Sequence, residues 1–430
     1  MNAARLIACH ECDLLQRETV LTGGATARCR RCGAMLYRSP PASVDRALAF
    51  TLAAIVLFAV ANAFPIVGLS VNGTLVETTL FGAARILYDD GVWPLAGLVF
   101  VTTLLMPLLD MAAVTYVLLP LRSGHVPRRP DIVLRVLRRV TPWGMIEVLI
   151  LGMLVALVKL AAIATVVPGI AMLAFGAVML LLAAAAAAFD HHDIWTRIDI
   201  ARSVASVPVV PVAPVVPVAQ TSASAPTAAR AGLFVCHDCG LLSKPASHAH
   251  EGRCPRCGSH LHFRKPGSIA RTWAFVIAAI VLYIPANMLP VMDTSSLFGA
   301  QTDTILSGVV YLWTSGSWPL AAIVFIASIA VPMLKIIALV FLVLTAQLRW
   351  RWLPERRTRI YRVVELVGRW SMLDIYVITI LVALVQFNAL ATIKAGPCAI
   401  AFGAVVVLTM FAAMSFDPRL IWDAMEPDHE

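Results

Sequence analysis

Ala53-Ala54-Ile55-Val56-Leu57-Phe58-Ala59-Val60-Ala61-Asn62-Ala63-Phe64-Pro65 recurs, with few changes, as Ala278-Ala279-Ile280-Val281-Leu282-Tyr283-Ile284-Pro285-Ala286-Asn287-Met288-Leu289-Pro290. Each stretch lies in an apolar run, at 47–69 and 273–292, close to the roughly 20 helical residues that cross a hydrocarbon core. Two inferences follow: the chain spans a membrane, and it is built twice from one plan.

Further apolar runs at 92–121, 143–167, 169–189, 317–346, 370–393 and 397–416 bring the expected transmembrane helices to eight. A composition of 60% hydrophobic and 14% charged residues carries more apolar side chain than a soluble core of 430 residues needs. The duplication continues beyond the opening helix. Trp93-Pro94 answers to Trp318-Pro319, Pro107 to Pro332, Phe175-Gly176 to Phe402-Gly403, and Phe189-Asp190 through Trp195 to Phe416-Asp417 through Trp422. Because each copy has an even number of helices, the two share one orientation and form a parallel repeat. The expected fold is an all-α polytopic membrane protein of two four-helix repeats, each preceded by a small zinc-ribbon-like module with four cysteines. The expected divisions are 1–46 for the first module, 47–202 for the first repeat, 203–231 for a linker, 232–268 for the second module and 269–430 for the second repeat. The linker, with Pro208, Pro211, Pro214 and Pro217 among Val, Ala, Ser and Thr, offers no packing pattern and reads as a spacer.

A net charge of +9 raises nucleic acid as a partner, but the basic residues alternate by loop instead of forming a binding face. They crowd residues 5–46, 122–139 and 349–362, whereas 293–316 has no Lys or Arg. The positive-inside rule places both termini, both cysteine modules and the long basic loops in the cytoplasm, with 70–91 and 293–316 outside. Phospholipid head groups account for the basic loops. Residues 1–46 contain four cysteines and many arginines where a signal peptide needs an apolar stretch, so the N-terminus is expected to stay on the chain.

Cys9-x2-Cys12 with Cys29-x2-Cys32, and Cys236-x2-Cys239 with Cys254-x2-Cys257, are the most specific chemistry present. Each tight pair places two thiolates on one metal, and two pairs complete a tetrahedron. Zinc in a structural role is the expected cofactor, since modules this small need a metal to fold; iron in the same geometry is not excluded by spacing. Gly33, Gly240 and Gly258, each directly after a cysteine, fit the tight turn around a thiolate. His10 and His237 lie inside the first pairs and are expected to face solvent. Cys398, alone in an apolar helix, reads as packing.

Polar groups inside the bilayer need a partner or a wet cavity, which makes them the candidate transport residues: Asn62, Asp110, Glu147 and Lys159 in the first copy, Asn287, Lys335, Asp374 and Gln386 in the second. Asn62 and Asn287 each precede a proline by three residues and can satisfy backbone groups locally. Counting along the helices brings Lys335 to the depth of Asp374, and Asp110 to that of Glu147. The expectation is a Lys335–Asp374 pair, or a Lys335–Asp110 pair across the repeats, either proton-sensitive or a static packing bridge. Glu147 and Asp374 also fit an interface position.

Cys9-His10-Glu11-Cys12 with Leu14-Leu15, Cys236-His237-Asp238-Cys239 with Leu241-Leu242, and the ending Phe416-Asp417-Pro418-Arg419 with Trp422 resemble the paraquat-inducible protein A family. The resemblance covers nearly the whole chain, and the first copy departs from it with His191-His192 in place of Pro-Arg. It implies an inner-membrane subunit of a lipid transport system that contributes to envelope integrity in Gram-negative bacteria. The implied partners are a lipid and a periplasmic tunnel protein of the mammalian-cell-entry type. The alternative is a membrane redox protein passing electrons from iron-thiolate sites to a quinone. No enzyme is expected: G-x-x-x-x-G-K-[ST], H-E-x-x-H and G-x-S-x-G are all missing from the sequence.

Overall fold

The structure, a computed structural model, describes residues 6–425 apart from 20, 22, 41, 72–73, 162–164, 206–226, 245–251, 291, 297–298, 317, 385 and 388–390. Among the described residues, eight helices are long and apolar enough to cross a membrane: α1 Ser43–Ala63, α2 Trp93–Arg122, α3 Pro130–Val158 and α4 Ile170–Ala188, then α5 Ser268–Met288, α6 Ala321–Gln347, α7 Pro354–Ala383 and α8 Cys398–Ser415. The chain is a multi-pass membrane protein of two four-helix repeats, as the apolar runs predict. The third helix of each repeat begins a turn or more before the apolar run does. Its opening segment, Pro130–Val140 or Pro354–Trp370, is amphipathic, and the first buries Leu134, Leu137 and Val140 while Arg138 and Arg139 lie on its exposed face. Two of the loops expected to be merely basic are therefore helical.

The opposite end of the bundle departs from an all-α fold. Val67–Val71 pairs with Thr74–Thr78 and with Thr165–Pro168 in a three-stranded antiparallel sheet. The second repeat builds a four-stranded sheet, with Met292–Ser296 between Gly299–Asp303 and Ala391–Ala395. Parts of four runs expected to be helical, 67–69, 165–167, 292 and, among the described residues, 386–387 with 391–393, fall in these strands. Hydropathy alone cannot separate Val and Thr in a strand from Val and Thr in a helix; here ladder hydrogen bonds, which the β-branched side chains tolerate well, replace helical ones.

The repeats meet at α3 and α7. Gly152 permits the approach, since a Cβ there would stand 2.9 Å from Tyr376 Cβ and 3.2 Å from the Leu373 carbonyl. Tyr376, buried at the same contact, donates from its hydroxyl to Thr102 Oγ1 at 2.9 Å. Thr102 belongs to a π-helical turn, Val101–Leu105, matched by Ile326–Ala330 in the second repeat. Pro107 and Pro332 stand two residues past these turns; each lacks an N–H and crowds the carbonyl four residues back, which the wider turn relieves.

Each repeat is closed on itself by a cation that precedes its first helix. Arg38 donates through its guanidinium to the carbonyls of Ala186 and Phe189 at the end of α4, and through its backbone N–H to Asp190. Lys265 does the same for the second repeat, reaching the Met414 and Phe416 carbonyls and, through its N–H, Asp417. These carbonyls have no helical partner, and a cation suits the negative end of the helix.

The cysteine modules, however, are exchanged. The first packs Cys9, Cys12, Leu14 and Ala34 against Leu342 and Val343 of α6, Tyr361 of α7 and Trp422. The second packs Phe234, Leu261 and its cysteines against Val117 and Leu118 of α2, Leu134 and Leu137 of α3, and Trp195. Each module thus sits beneath the repeat that it does not precede.

Candidate metal centres and the cavity between them

Each module consists of two short hairpins whose turns carry the cysteines. In the first, Leu6–Ala8 pairs with Leu15–Arg17 and Thr26–Arg28 with Met35–Arg38; in the second, Phe234–Val235 pairs with Leu242–Ser243 and Gly252–Arg253 with His260–Leu261. The residue after the second cysteine closes each turn with a positive φ: Gly33, Gly240 and Gly258 at 71°, and Asp13 at 62°. Asp is one of the few side chains that tolerate this conformation, and its use in the one turn without glycine has a structural return described below.

The four thiols of each module lie within 4.8 Å of one another. Cys9–Cys32, Cys12–Cys29, Cys236–Cys257 and Cys239–Cys254 are each 3.5 Å apart at sulfur, near the edge of about 3.8 Å of a tetrahedron with Zn–S bonds of about 2.3 Å. All eight are free thiols. Crowding splits their acidity: hydrogen bonds from Cys12 and Cys236 push Cys29 and Cys257 down, while Cys12 and Cys239 are pushed up. A dication among them removes the conflict by letting all four ionise, so the residues fit a metal. Gln16 Nε2 lies 3.2 Å from the Cys29 sulfur, and Ser259 Oγ lies 2.8 Å from that of Cys257. Donors at this distance orient thiolates and disperse their charge.

The exchange of modules obeys the repeat. Arg362 forks onto Glu11 and donates to the Cys32 carbonyl at 2.8 Å. At the equivalent positions Arg135 meets Asp238 at 3.5 Å and donates to the Cys257 carbonyl at 2.5 Å. Arg31 lies 4.3 Å over Trp422, and Arg256 lies 5.8 Å from the Trp195 ring. Arg138 also donates to the His237 carbonyl. Loop arginines assigned from sequence to lipid head groups are therefore in part the clamps that hold the cysteine turns.

Asp13 ties the assembly together. Its carboxylate, 2% exposed, accepts from the Ala229 N–H at 3.0 Å and pairs with Arg264 at 3.1 Å. Arg264 also pairs with Asp423, and Arg419 holds Asp417 while lying 3.9 Å from Asp13. Burial raises the Asp13 carboxyl above its usual range, and the Arg264 charge opposes that rise. The family-like Phe-Asp-Pro-Arg ending is thus the hub of a buried ionic network; in the first repeat His192 stands at the position of Arg419 and lies 3.5 Å from Glu18.

Between the two modules and the second repeat lies a cavity of about 830 Å³. His10, His237, Arg138 and Arg139 line it together with Tyr361, Val364, Met410 and Met414, and Lys335 lies in its wall. His10 and His237 face this space and belong to neither thiol cluster, as expected.

The expected intramembrane pairs do not form. Lys335 Nζ, buried, has no hydrogen-bond or ion-pair partner among the described residues, so neither Asp374 nor Asp110 meets it. Asp110 accepts from Thr141 Oγ1 at 2.9 Å instead of facing Glu147, which is exposed on the first turn of Ile146–Ala161. Asp374 is half-buried on the first turn of Leu373–Leu384. Depth was legible, but the rotational phase that separates these groups was not. Asn62 and Asn287 donate to the carbonyls of Phe58 and Tyr283, one turn back, in keeping with local use. The side chains of Lys159 and Gln386 lie outside the described residues. Cys398 is buried, and its thiol also donates at 2.7 Å to the Ala286 carbonyl, which Pro290 leaves without a helical donor. Glu11, Asp13, Arg135, Asp238, Arg264 and Arg362 were missed as site residues. The opposite signs at the equivalent positions 11/238 and 135/362 were the signal available.

The family model for paraquat-inducible protein A matches residues 44–199 and again 269–426, once in each repeat. Intermembrane transport protein PqiA of Escherichia coli (strain K12) is 36% identical over 430 residues, covering 100% of this chain and 98% of that protein. Lipophilic envelope-spanning tunnel protein A of the same strain is 30% identical over 420 residues, covering 97% and 91%. A probable intermembrane transport protein of Haemophilus influenzae is 27% identical over 436 residues, covering 97% and 96%. No solved structure matches the chain. With a family model filling both repeats and a relative aligned end to end, the chain belongs to the paraquat-inducible protein A family.

Proposed function

We propose that this protein is the inner-membrane subunit of a lipid transport system that maintains the bacterial envelope. In this reading the modules hold structural zinc in the cytoplasm, and the strand-bearing face meets a periplasmic mammalian-cell-entry-type tunnel protein. The observation that carries the reading is a cavity with an excess of cations in its lining, let into an apolar bundle and reaching a buried lysine on a membrane helix. A bundle that only anchored other proteins would gain nothing from that feature, whose cost is high. The names of the relatives, intermembrane transport and envelope-spanning tunnel, support the same reading.

In a strain lacking its own members of the family, expression of this chain is expected to restore the outer-membrane barrier to detergents, and Lys335→Ala is expected to abolish the rescue at normal protein level. A normally abundant Lys335→Ala chain with full rescue would remove the cavity from the mechanism. Orientation has its own check. A cysteine introduced at 74–78 should react with a membrane-impermeant thiol reagent added to spheroplasts, and one at 125–129 should not; the reverse pattern would invert the assignment.

A further inference from the structure

The charges around the cavity do not balance. Eight Lys or Arg side chains line it against four Asp or Glu. Three of the acids have cations of their own: Glu11 has Arg362, Asp238 has Arg135 and Asp417 has Arg419. The fourth, Glu365, stands in the field of Lys265 and Arg369. Arg138 and Lys265 have no ion pair among the described residues but spend their donors on backbone carbonyls, and Arg369 stands near Glu365. Arg139 and Lys335 have neither an ion-pair partner among the described residues nor such a carbonyl, and the Lys335 ammonium has no hydrogen-bond acceptor at all.

Lys335 is 3% exposed. An ammonium so placed is costly unless a counter-charge reaches it, and the protein leaves the space open. On α7 the neighbouring residue is Gly368, where a Cβ would stand 3.2 Å from Lys335 Nζ. Part of the wall is apolar, formed by Val364 and Leu366 of α7 and by Met410 and Ala413 of α8. The volume of about 830 Å³ falls in the range of small-ligand sites, roughly 300–1,000 Å³.

We infer that the cavity binds the phosphate-bearing headgroup of an acidic phospholipid, with Lys335 and Arg139 as its charge partners and the apolar wall against the glycerol and first methylenes. An ammonium and a guanidinium are the usual protein partners of phosphate. A zwitterionic headgroup would carry its own ammonium into a space already in cationic excess, so the site selects net negative headgroups. The inference rests on the lipid-transport reading and names the lipid class for it.

The test uses the full chain in nanodiscs of phosphatidylcholine with a minor fraction of phosphatidylglycerol, followed by native mass spectrometry of the lipid retained. The wild type is expected to hold phosphatidylglycerol in preference to phosphatidylcholine, and Lys335→Met to lower that preference about ten-fold or more, the scale of one charge-assisted contact. Gly368→Ala keeps every charge and crowds Nζ, so it should lower retention as well, while Lys335→Arg should keep part of it. Equal retention by wild type, Lys335→Met and Gly368→Ala would overturn the site. Binding of millimolar inorganic phosphate with no phosphatidylglycerol retained would reassign it to a soluble phosphate compound and overturn the lipid. If the wild type restores the envelope barrier while retention ignores Lys335, only the headgroup site fails; if it restores nothing and holds no lipid, both readings fail.

Discussion

Cys29→Ser is expected to remove one metal per chain and to loosen the second repeat more than the first, which keeps only the Arg38 contacts of that module. Loss of one thiolate from a tetrahedral site removes most of a binding free energy that is on the order of 10–16 kcal/mol for structural zinc and serves directly as folding free energy. The first module then loses the turn that presents the Cys32 carbonyl to Arg362, and with it the fork onto Glu11 and the stacking of Arg31 on Trp422. Those contacts lie on α7 and beyond α8, so limited proteolysis should open the 349–353 region while the first repeat keeps its protection. Cys254→Ser should do the converse through Arg135 and Asp238, exposing the loop at 123–128. Metal analysis by mass spectrometry supplies the stoichiometry, and colourless protein with two zinc ions per chain is the expected starting point. Proteolysis confined to the repeat that follows the mutated module would refute the exchanged arrangement.

Asp417→Asn carries the second-largest expected effect. Its carboxylate is 1% exposed and accepts from the Lys265 N–H at 3.0 Å, from the Arg419 N–H at 3.1 Å and from the Arg419 guanidinium through both oxygens. Removing one partner strands the Arg419 charge, a loss of about 3–5 kcal/mol for a buried pair. Burial opposes ionisation of the Asp417 carboxyl, yet Arg419 holds it below its usual range. Because the folded value lies below the unfolded one, the stabilisation is fully present above the unfolded carboxylate range, near pH 4. It is lost as pH falls through the folded value. Asp13 acts with the opposite sign, since its folded value is raised. The melting temperature of the wild type in detergent should therefore drop below about pH 4, whereas Asp417→Asn should start lower at pH 7 and lose less on acidification. Equal melting curves at both pH values would separate the Phe-Asp-Pro-Arg ending from any role in stability.

Much of this architecture is written in short-range pattern. Apolar runs mark the eight helices because hydropathy is a local property, and Cys-x2-Cys spacing marks the metal turns because two thiolates on one ion require that reach. The duplication is legible for the same reason, residue against residue. What pairs with what across 351 positions, as Arg362 does with Glu11, leaves no local trace. The strands at Thr165–Pro168 and Ala391–Ala395 were missed because they depend on partners near Gly68 and Thr294. Lys335 was found by its cost in a membrane, but its lack of a partner depends on which way each helix is rotated, and apolar sequences on all faces do not encode that.

The exchanged modules also bear on how the protein is made. The first module leaves the ribosome with its docking surface unwritten: Arg362 is synthesised some 350 residues later, which at about 5–20 residues per second is roughly 20 to 70 seconds. Over that interval its four-cysteine site has no clamp from α7. The second module, by contrast, emerges to find α2 and α3 already built. The exchange thus orders assembly, with the first module seated after the second.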